Sequence, residues 1–200
     1  MIFKNIKDQF PIFNNKIKGK KLIYLDSANS SQKPQAVIDS ISDFYTNRFS
    51  NVGRGIYTLA VNASEDYEKT RSSIKKFIGS GKDYELIFTK NATESLNLVA
   101  SCFGEKFINK GDEIILTDME HHANYVPWHF LRKKKGAVIK FIPIDKDGNL
   151  QLDKLPSLIT SKTKIISVTH MSNVTGAINP LKEIIEIAKN KNIPVCVDGT

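Results

Sequence analysis

Residues 113–144, EIILTDMEHHANYVPWHFLRKKKGAVIKFIPI, decide the fold class. Glu113–Thr117 is a short, almost unbroken apolar run, the pattern of a strand buried on both faces. A polar stretch follows it. Next comes a helical segment near Tyr125–Lys135, with Pro127 in its first turn and Gly136 as its stop. Val138–Ile144 reads as the next strand, closed by a turn at Asp147-Gly148. Strand, helix, strand in that order and at that length is a parallel crossover unit.

The alternation continues in both directions. Upstream, Glu85–Thr89 (ELIFT) reads as a buried strand, and Leu96, Val99, Ala100 and Phe103 line the helix after it. Two amphipathic helices precede that strand. One starts at Pro34 and carries Val37, Ile38, Ile41, Phe44 and Tyr45; the other carries Ala63, Tyr67, Ile74, Phe77 and Ile78 and stops at Gly79. Downstream come a short helix over Leu152–Ile159, a strand at Lys164–Thr169, and a helix capped by Asn179-Pro180 with Leu181, Ile184, Ile185 and Ala188 on its core side. A last strand, Pro194–Val197, runs into Asp198-Gly199-Thr200. The pattern predicts an α/β fold, a three-layer α/β/α sandwich around a mostly parallel sheet. Residues 1–20 form an N-terminal segment, and 21–200 are one domain or part of one.

Composition narrows the function classes. At 40% hydrophobic and 25% charged, the 200 residues are globular rather than disordered or fibrous. No apolar run approaches the ~20 residues of a membrane span, and the opening MIFKNIKDQFPIF alternates too closely for a secretory signal. A cytoplasmic protein is expected. Cys102 and Cys196 form neither a disulfide framework nor a zinc motif, and both are expected to be packed, inert thiols. The net charge of +8 invites a nucleic-acid reading. However, only Arg48, Arg54, Arg71 and Arg132 are arginines, and the lysines are scattered. The run Arg132–Lys135 stands where a helix ends and suits the negative end of its dipole. No nucleic-acid partner is expected.

Ligands of such sheets bind at the carboxyl ends of the strands. Past the first strand, Lys90-Asn91-Ala92-Thr93-Glu94 opens a helix: either a phosphate seat with Thr93 as hydroxyl donor, or an N-cap at Asn91 or Thr93. No GxGxxG or Walker pattern is present. Past the second strand lie Glu120-His121-His122. His129 follows His122 by seven residues, ~10.5 Å along a helix, too far to share one metal ion. An imidazole presented to a planar ring and able to relay a proton, or a plain surface pair, remains. Past the fourth strand is the polar stretch His170–Gly176 with Asn173; at the end of the fifth is Asp198, which needs a cationic partner if buried, or simply starts a turn. Taken together, a phosphate seat, an imidazole, an asparagine and a strand-end aspartate are the parts needed to hold pyridoxal 5'-phosphate (PLP), with the aspartate pairing with the pyridine nitrogen.

Tyr24-Leu25-Asp26-Ser27-Ala28, Gln32-Lys33-Pro34, Arg54-Gly55-Ile56, Ala92-Thr93-Glu94, Met119–Asn124, Val126-Pro127-Trp128, Asp147-Gly148, Ser172-Asn173-Val174 and Val197-Asp198-Gly199 occur in that order. In this the chain resembles the SufS-type cysteine desulfurases and their selenocysteine-lyase relatives, in the class V aminotransferase group of fold-type-I PLP enzymes. The resemblance runs from Met1 to Thr200. It implies that residues 21–200 are the N-terminal part of a PLP-binding large domain. It also implies a homodimeric enzyme that converts L-cysteine (or L-selenocysteine) to alanine and passes the sulfur, as a persulfide, to an acceptor protein for iron–sulfur cluster assembly. By position, Ala92 and Thr93 match the phosphate-contacting turn, and His121 the catalytic imidazole stacked on the ring. Asn173 matches an asparagine near the cofactor hydroxyl, and Asp198 the carboxylate at the pyridine nitrogen. Gly53 and Tyr57 depart from the pattern, where histidine is frequent.

The resemblance covers only the N-terminal half of that family. Its Schiff-base lysine and persulfide-forming cysteine match no residue here, and in its seven-stranded sheet the first strand sits beside strands from later sequence. The 200-residue chain alone is therefore expected to fold poorly, to bind PLP weakly and to be inactive. The alternative is a non-catalytic piece that serves dimerisation or acceptor binding.

Overall fold

The computed structural model describes residues 5–82 and 84–200. They form two compact units, one running up to Ile87 and the other spanning Phe88–Thr200.

The first unit begins with two 3-10 turns, Ile6–Gln9 and Pro11–Asn14, and a two-residue hairpin of β1 (Lys16–Ile17) and β2 (Lys20–Lys21). The hairpin turn places Lys18 and Gly19 at positive φ, the geometry that matches strand twist. Helix α1 (Gln35–Asp43) follows Pro34 as expected and continues into a π-helical turn, Phe44–Arg48. Helix α2 (Thr58–Phe77) is closed by Gly79 at φ 68°. Arg48 reaches both Asp43 at 2.8 Å and Asp66 at 2.9 Å, clamping α1 to α2. Many apolar side chains of this unit face outward, among them Leu25, Ile56 and Phe77.

The second unit is built on α3 (Ala92–Phe107), β3 (Glu113–Thr117), α4 (His122–Lys135), β4 (Val138–Ile142), α5 (Leu155–Leu158, entered through a 3-10 turn), β5 (Thr163–Thr169), α6 (Leu181–Lys189) and β6 (Val195–Asp198). The strands form one parallel sheet in the order β4-β3-β5-β6. Alternation along each strand divides the core in two. Ile114, Leu116 and Ile165 pack with Ala100, Trp128 and Leu131 under α3 and α4. Ile115, Ile142, Ile166 and Val168 pack with Leu155, Ile184 and Ala188 under α5 and α6. The three-layer α/β/α architecture is thus present.

Four expectations need correction. Glu85–Thr89 forms no strand: its backbone pairs with no strand among the described residues, and Ile87 is 67% exposed. An apolar run becomes a strand only where a neighbour completes its hydrogen-bond ladder. Helix α4 starts at His122, before Tyr125, so Pro127 lies inside it. There Ala123 loses its donor partner across one turn. Asn179 does not cap α6; its Nδ2 donates instead to the Thr169 carbonyl at 2.7 Å. Cys102 is exposed on α3 and not packed.

The basic run at the end of α4 is a structural device. Gly136, at φ 74°, ends the helix. Lys135 Nζ donates to the carbonyls of Gly104, Glu105 and Ile108 at 2.6–3.0 Å, and Lys134 reaches Glu105 at 2.5 Å. The cations of one helix end thus satisfy the carbonyl end of the neighbouring helix.

Candidate active site

All four strands of the sheet are parallel, so their carboxyl ends share one edge, marked by Thr117, Ile142, Thr169 and Asp198. Two helix starts reach that edge. Helices α3 and α4 meet at their carboxyl ends through Lys135, and they are about 24 and 21 Å long at 1.5 Å per residue. Running side by side from a common end, they bring Ala92-Thr93 and His121-His122 to the same rim as the strand ends.

At the α3 start, Asn91 is the N-cap, its side chain accepting from Glu94 N at 2.9 Å. The N-cap alternative is therefore realised. Glu94 turns back to accept from Lys90 N at 2.5 Å, a variant of the capping box. Among the described residues the backbone N–H groups of Ala92 and Thr93 have no protein acceptor, and the Thr93 side chain is exposed. These are the donors an anion at a helix start would take.

His121 is the N-cap of α4. Its Nδ1 accepts from Ala123 N at 3.1 Å, which fixes the ring plane and leaves Nε2 to carry the proton of the neutral imidazole. The ring is exposed at the rim. His122 lies beside it, with centroids 6.2 Å apart, whereas His129 packs against Tyr125. Among the described residues, no three His, Cys, Asp or Glu side chains are placed to hold a metal ion.

Asn173 is exposed on a loop projecting from the end of β5. Ser172 shapes that loop: its Oγ accepts from Val174 N and Thr175 N, and its N–H donates to the Ala177 carbonyl. Asp198 ends β6 and is 8% exposed. Its Oδ1 accepts from Thr200 N and Thr200 Oγ1 at 3.2 and 2.7 Å. Among the described residues Oδ2 accepts nothing and no cation pairs with the carboxylate. The second oxygen of this carboxylate is left open to a donor from outside these residues, and a protonated ring nitrogen is such a donor. The residues present therefore fit PLP.

Sequence reading missed the most heavily bonded acid of this edge. Glu120 Oε1 accepts from Thr117 Oγ1 at 2.5 Å and Thr169 N at 3.0 Å, and Oε2 accepts from Asn124 Nδ2 at 2.5 Å. Asn124, fully buried, passes the network on: its Oδ1 accepts from Ser167 Oγ at 2.6 Å and Trp128 Nε1 at 3.2 Å. Burial pushes the Glu120 carboxyl above the usual carboxylate range against the pull of its three donors, and the charge of Asp198 adds to the rise. Burial likewise pushes the Cys196 thiol up, with the neighbouring Ser167 pulling the other way and Asp198 and Glu120 adding their charges. The signal available in the sequence was Ser167 and Thr169 inside an otherwise apolar strand.

The chain is similar to proteins of one family. Residues 23–200 match the family model for aminotransferase class-V. The chain is 44% identical to a probable cysteine desulfurase of Halalkalibacterium halodurans over 194 residues, covering 97% of this chain and 48% of that protein. It is 44% identical over 196 residues to a cysteine desulfurase of Serratia proteamaculans, again covering 48% of the relative. Among solved structures, the apo cysteine desulfurase of Thermococcus onnurineus superposes with a TM-score of 0.90 at 34% identity, over 98% of this chain and 47% of that one. A cysteine desulfurase of Escherichia coli superposes with a TM-score of 0.85 at 34% identity, over 98% and 48%. The chain spans about half the length of the curated relatives it matches.

Proposed function

Because the chain belongs to the class-V aminotransferase family, as a homologue of cysteine desulfurases, we propose that it forms the cofactor-cradling part of a PLP-dependent cysteine desulfurase. The observation that carries this reading is Asp198: a carboxylate at the end of β6, 8% exposed, with one oxygen uncommitted.

When bound, PLP supplies an electron sink for the substrate's Cα. The protein's own part is positional. Asp198 holds the proton on the ring nitrogen. The Ala92 and Thr93 N–H groups, with the Thr93 hydroxyl, hold the phosphate at the positive end of the α3 dipole. His121, its plane fixed by Ala123 N, would hold the ring by its face and could move a proton through Nε2. Asn173 orients the ring hydroxyl and the substrate carboxylate. The substrate is L-cysteine, the product alanine, and the sulfur leaves as a persulfide destined for an acceptor protein of iron–sulfur assembly. The covalent lysine and the sulfur-accepting cysteine come from sequence outside these 200 residues. The working enzyme is a cytoplasmic homodimer.

The reading is tested by supplying PLP and L-cysteine and measuring alanine. The full-length protein is expected to form alanine at enzymatic rates, and the 200-residue chain by itself to form none. Absence of turnover and of PLP retention in the full-length protein overturns the reading. Turnover by the isolated chain overturns its division of labour.

A further inference from the structure

Glu120 has no role in the reading above, yet it has more side-chain partners than any of the residues assigned to the cofactor. Its three donors come from three elements: Thr117 at the end of β3, Thr169 at the end of β5, and Asn124 in the first turn of α4. Two of these lead directly to the proposed cofactor contacts. Asn124 belongs to the helix that His121 caps, and Glu120 precedes His121 in the chain. Thr169 is the register partner of Asp198, and the Asp198 carbonyl accepts from His170 N at 2.7 Å.

We propose that Glu120 is a positioning residue for the cofactor ring: by bridging α4 to β3 and β5 it sets the spacing between His121, against the ring face, and Asp198, at the ring nitrogen. This rests on the PLP reading of the site. The charged and titratable groups around the carboxyl are Asp198 and Cys196, both on β6. All three hydrogen bonds it accepts favour its ionised form, and a strut needs such directed bonds.

The hydrogen-bond polarity of the network provides the test. In Glu120→Gln one carboxylate oxygen becomes an NH₂ donor. Placed toward Asn124 it meets Asn124 Nδ2, also a donor. Placed the other way it meets Thr169 N, another donor. Asn124 cannot turn its amide to help, because its Oδ1 is already held by Ser167 and Trp128. Adding Asn124→Asp restores every pairing: the new carboxylate accepts from Gln at one oxygen and from Ser167 and Trp128 at the other.

The experiment uses the full-length protein in three forms, parent, E120Q and E120Q/N124D, and measures PLP affinity, visible circular dichroism per bound PLP, and thermal midpoint. E120Q is expected to lose about tenfold in PLP affinity, the scale of one mispaired buried hydrogen bond, with an altered visible dichroic band. The double variant is expected to recover most of both. Unchanged affinity and dichroism in E120Q, a lowered thermal midpoint with no spectral change, or a double variant as impaired as the single one would each overturn the assignment. A parent that binds no PLP would instead defeat the cofactor reading, and this inference with it.

Discussion

Thr169 and Asp198 stand opposite each other as register partners at the carboxyl ends of β5 and β6. The Thr169 N–H is committed to Glu120 at 3.0 Å, and the Thr169 hydroxyl donates to the Met171 carbonyl at 3.0 Å, whereas Asp198 keeps one oxygen free. The contrast separates a residue whose polar groups are spent on the edge from one with an oxygen left for the proposed cofactor.

Asp198→Asn tests that separation. It keeps the side-chain shape and removes the charge that would hold a ring proton. On the proposed function, the full-length protein is expected to lose about 10²-fold or more in kcat, the usual scale for deleting one preorganised electrostatic contact. Folding stability should hold or rise, since the repulsion between Asp198 and Glu120 is relieved. Alanine production and urea unfolding measure the two effects, and a large stability loss with unchanged turnover would contradict the role.

Asn124 joins Glu120, Ser167 and Trp128 inside the core. Asn124→Ala strands three buried polar groups at once, and a loss of about 3 kcal/mol or more is expected. Ser167→Ala removes a single donor and should cost about 1 kcal/mol. Denaturant unfolding of both variants gives the comparison. Equal losses would show that Asn124 is not the hub.

Glu113, buried at the start of β3, bonds to Lys140 at 2.9 Å and to Thr160 and Thr163 at 2.7 and 3.0 Å. Burial pushes its carboxyl up, but the hydrogen bonds from Lys140, Thr160 and Thr163 and the Lys140 charge outweigh it, so it titrates below the ordinary range. The folded state then binds fewer protons than the unfolded one. The contribution is complete above the ordinary glutamate range and is lost as pH falls through the depressed value. Glu113→Gln should therefore cost about 1–3 kcal/mol at neutral pH, and the gap to the parent should close in acid. Unfolding curves from pH 7 to pH 3 measure it.

Gly104 is where α3 meets α4. A Cβ added there would stand 2.5 Å from Leu131 Cδ2. Gly104→Ala is expected to lose about 1–3 kcal/mol despite its better helix propensity, and Leu131→Val in the same chain should recover part of that loss. A double-mutant cycle gives the coupling. Additive effects would exclude the close contact.

Cys196 is half-buried beside its register partner Ser167, and its thiol is pushed up by burial. It should resist iodoacetamide in the native protein and react on unfolding. Mass spectrometry of the labelled peptides decides, and rapid native labelling of Cys196 would contradict its packing.

Sequence reading and structure agree where the signal is local. The apolar runs at Glu113–Thr117 and Lys164–Thr169 are strands within a residue of their expected bounds, and Gly79 and Gly136 stop helices where expected. The differences arise where distant residues take part. Glu85–Thr89 has the composition of a strand, but among the described residues no strand pairs with it. Asn179 has the chemistry of a cap, yet the Thr169 carbonyl claims its amide. Glu120 has no role legible in the sequence, because one of its three donors, Thr169, lies 49 positions away.

What the amino-acid order alone determined is the alternation of buried strand and amphipathic helix, together with the chemical types waiting at each strand's end, since periodicity and side-chain chemistry are properties of neighbouring residues. Which of those ends adjoin, which acid is bound on all sides and which keeps a free oxygen were decided by the tertiary structure alone. Parallel pairing of β3, β5 and β6 brings Thr117, Thr169 and Asp198 to one edge, and hydrogen bonds between elements exist only after that packing is made.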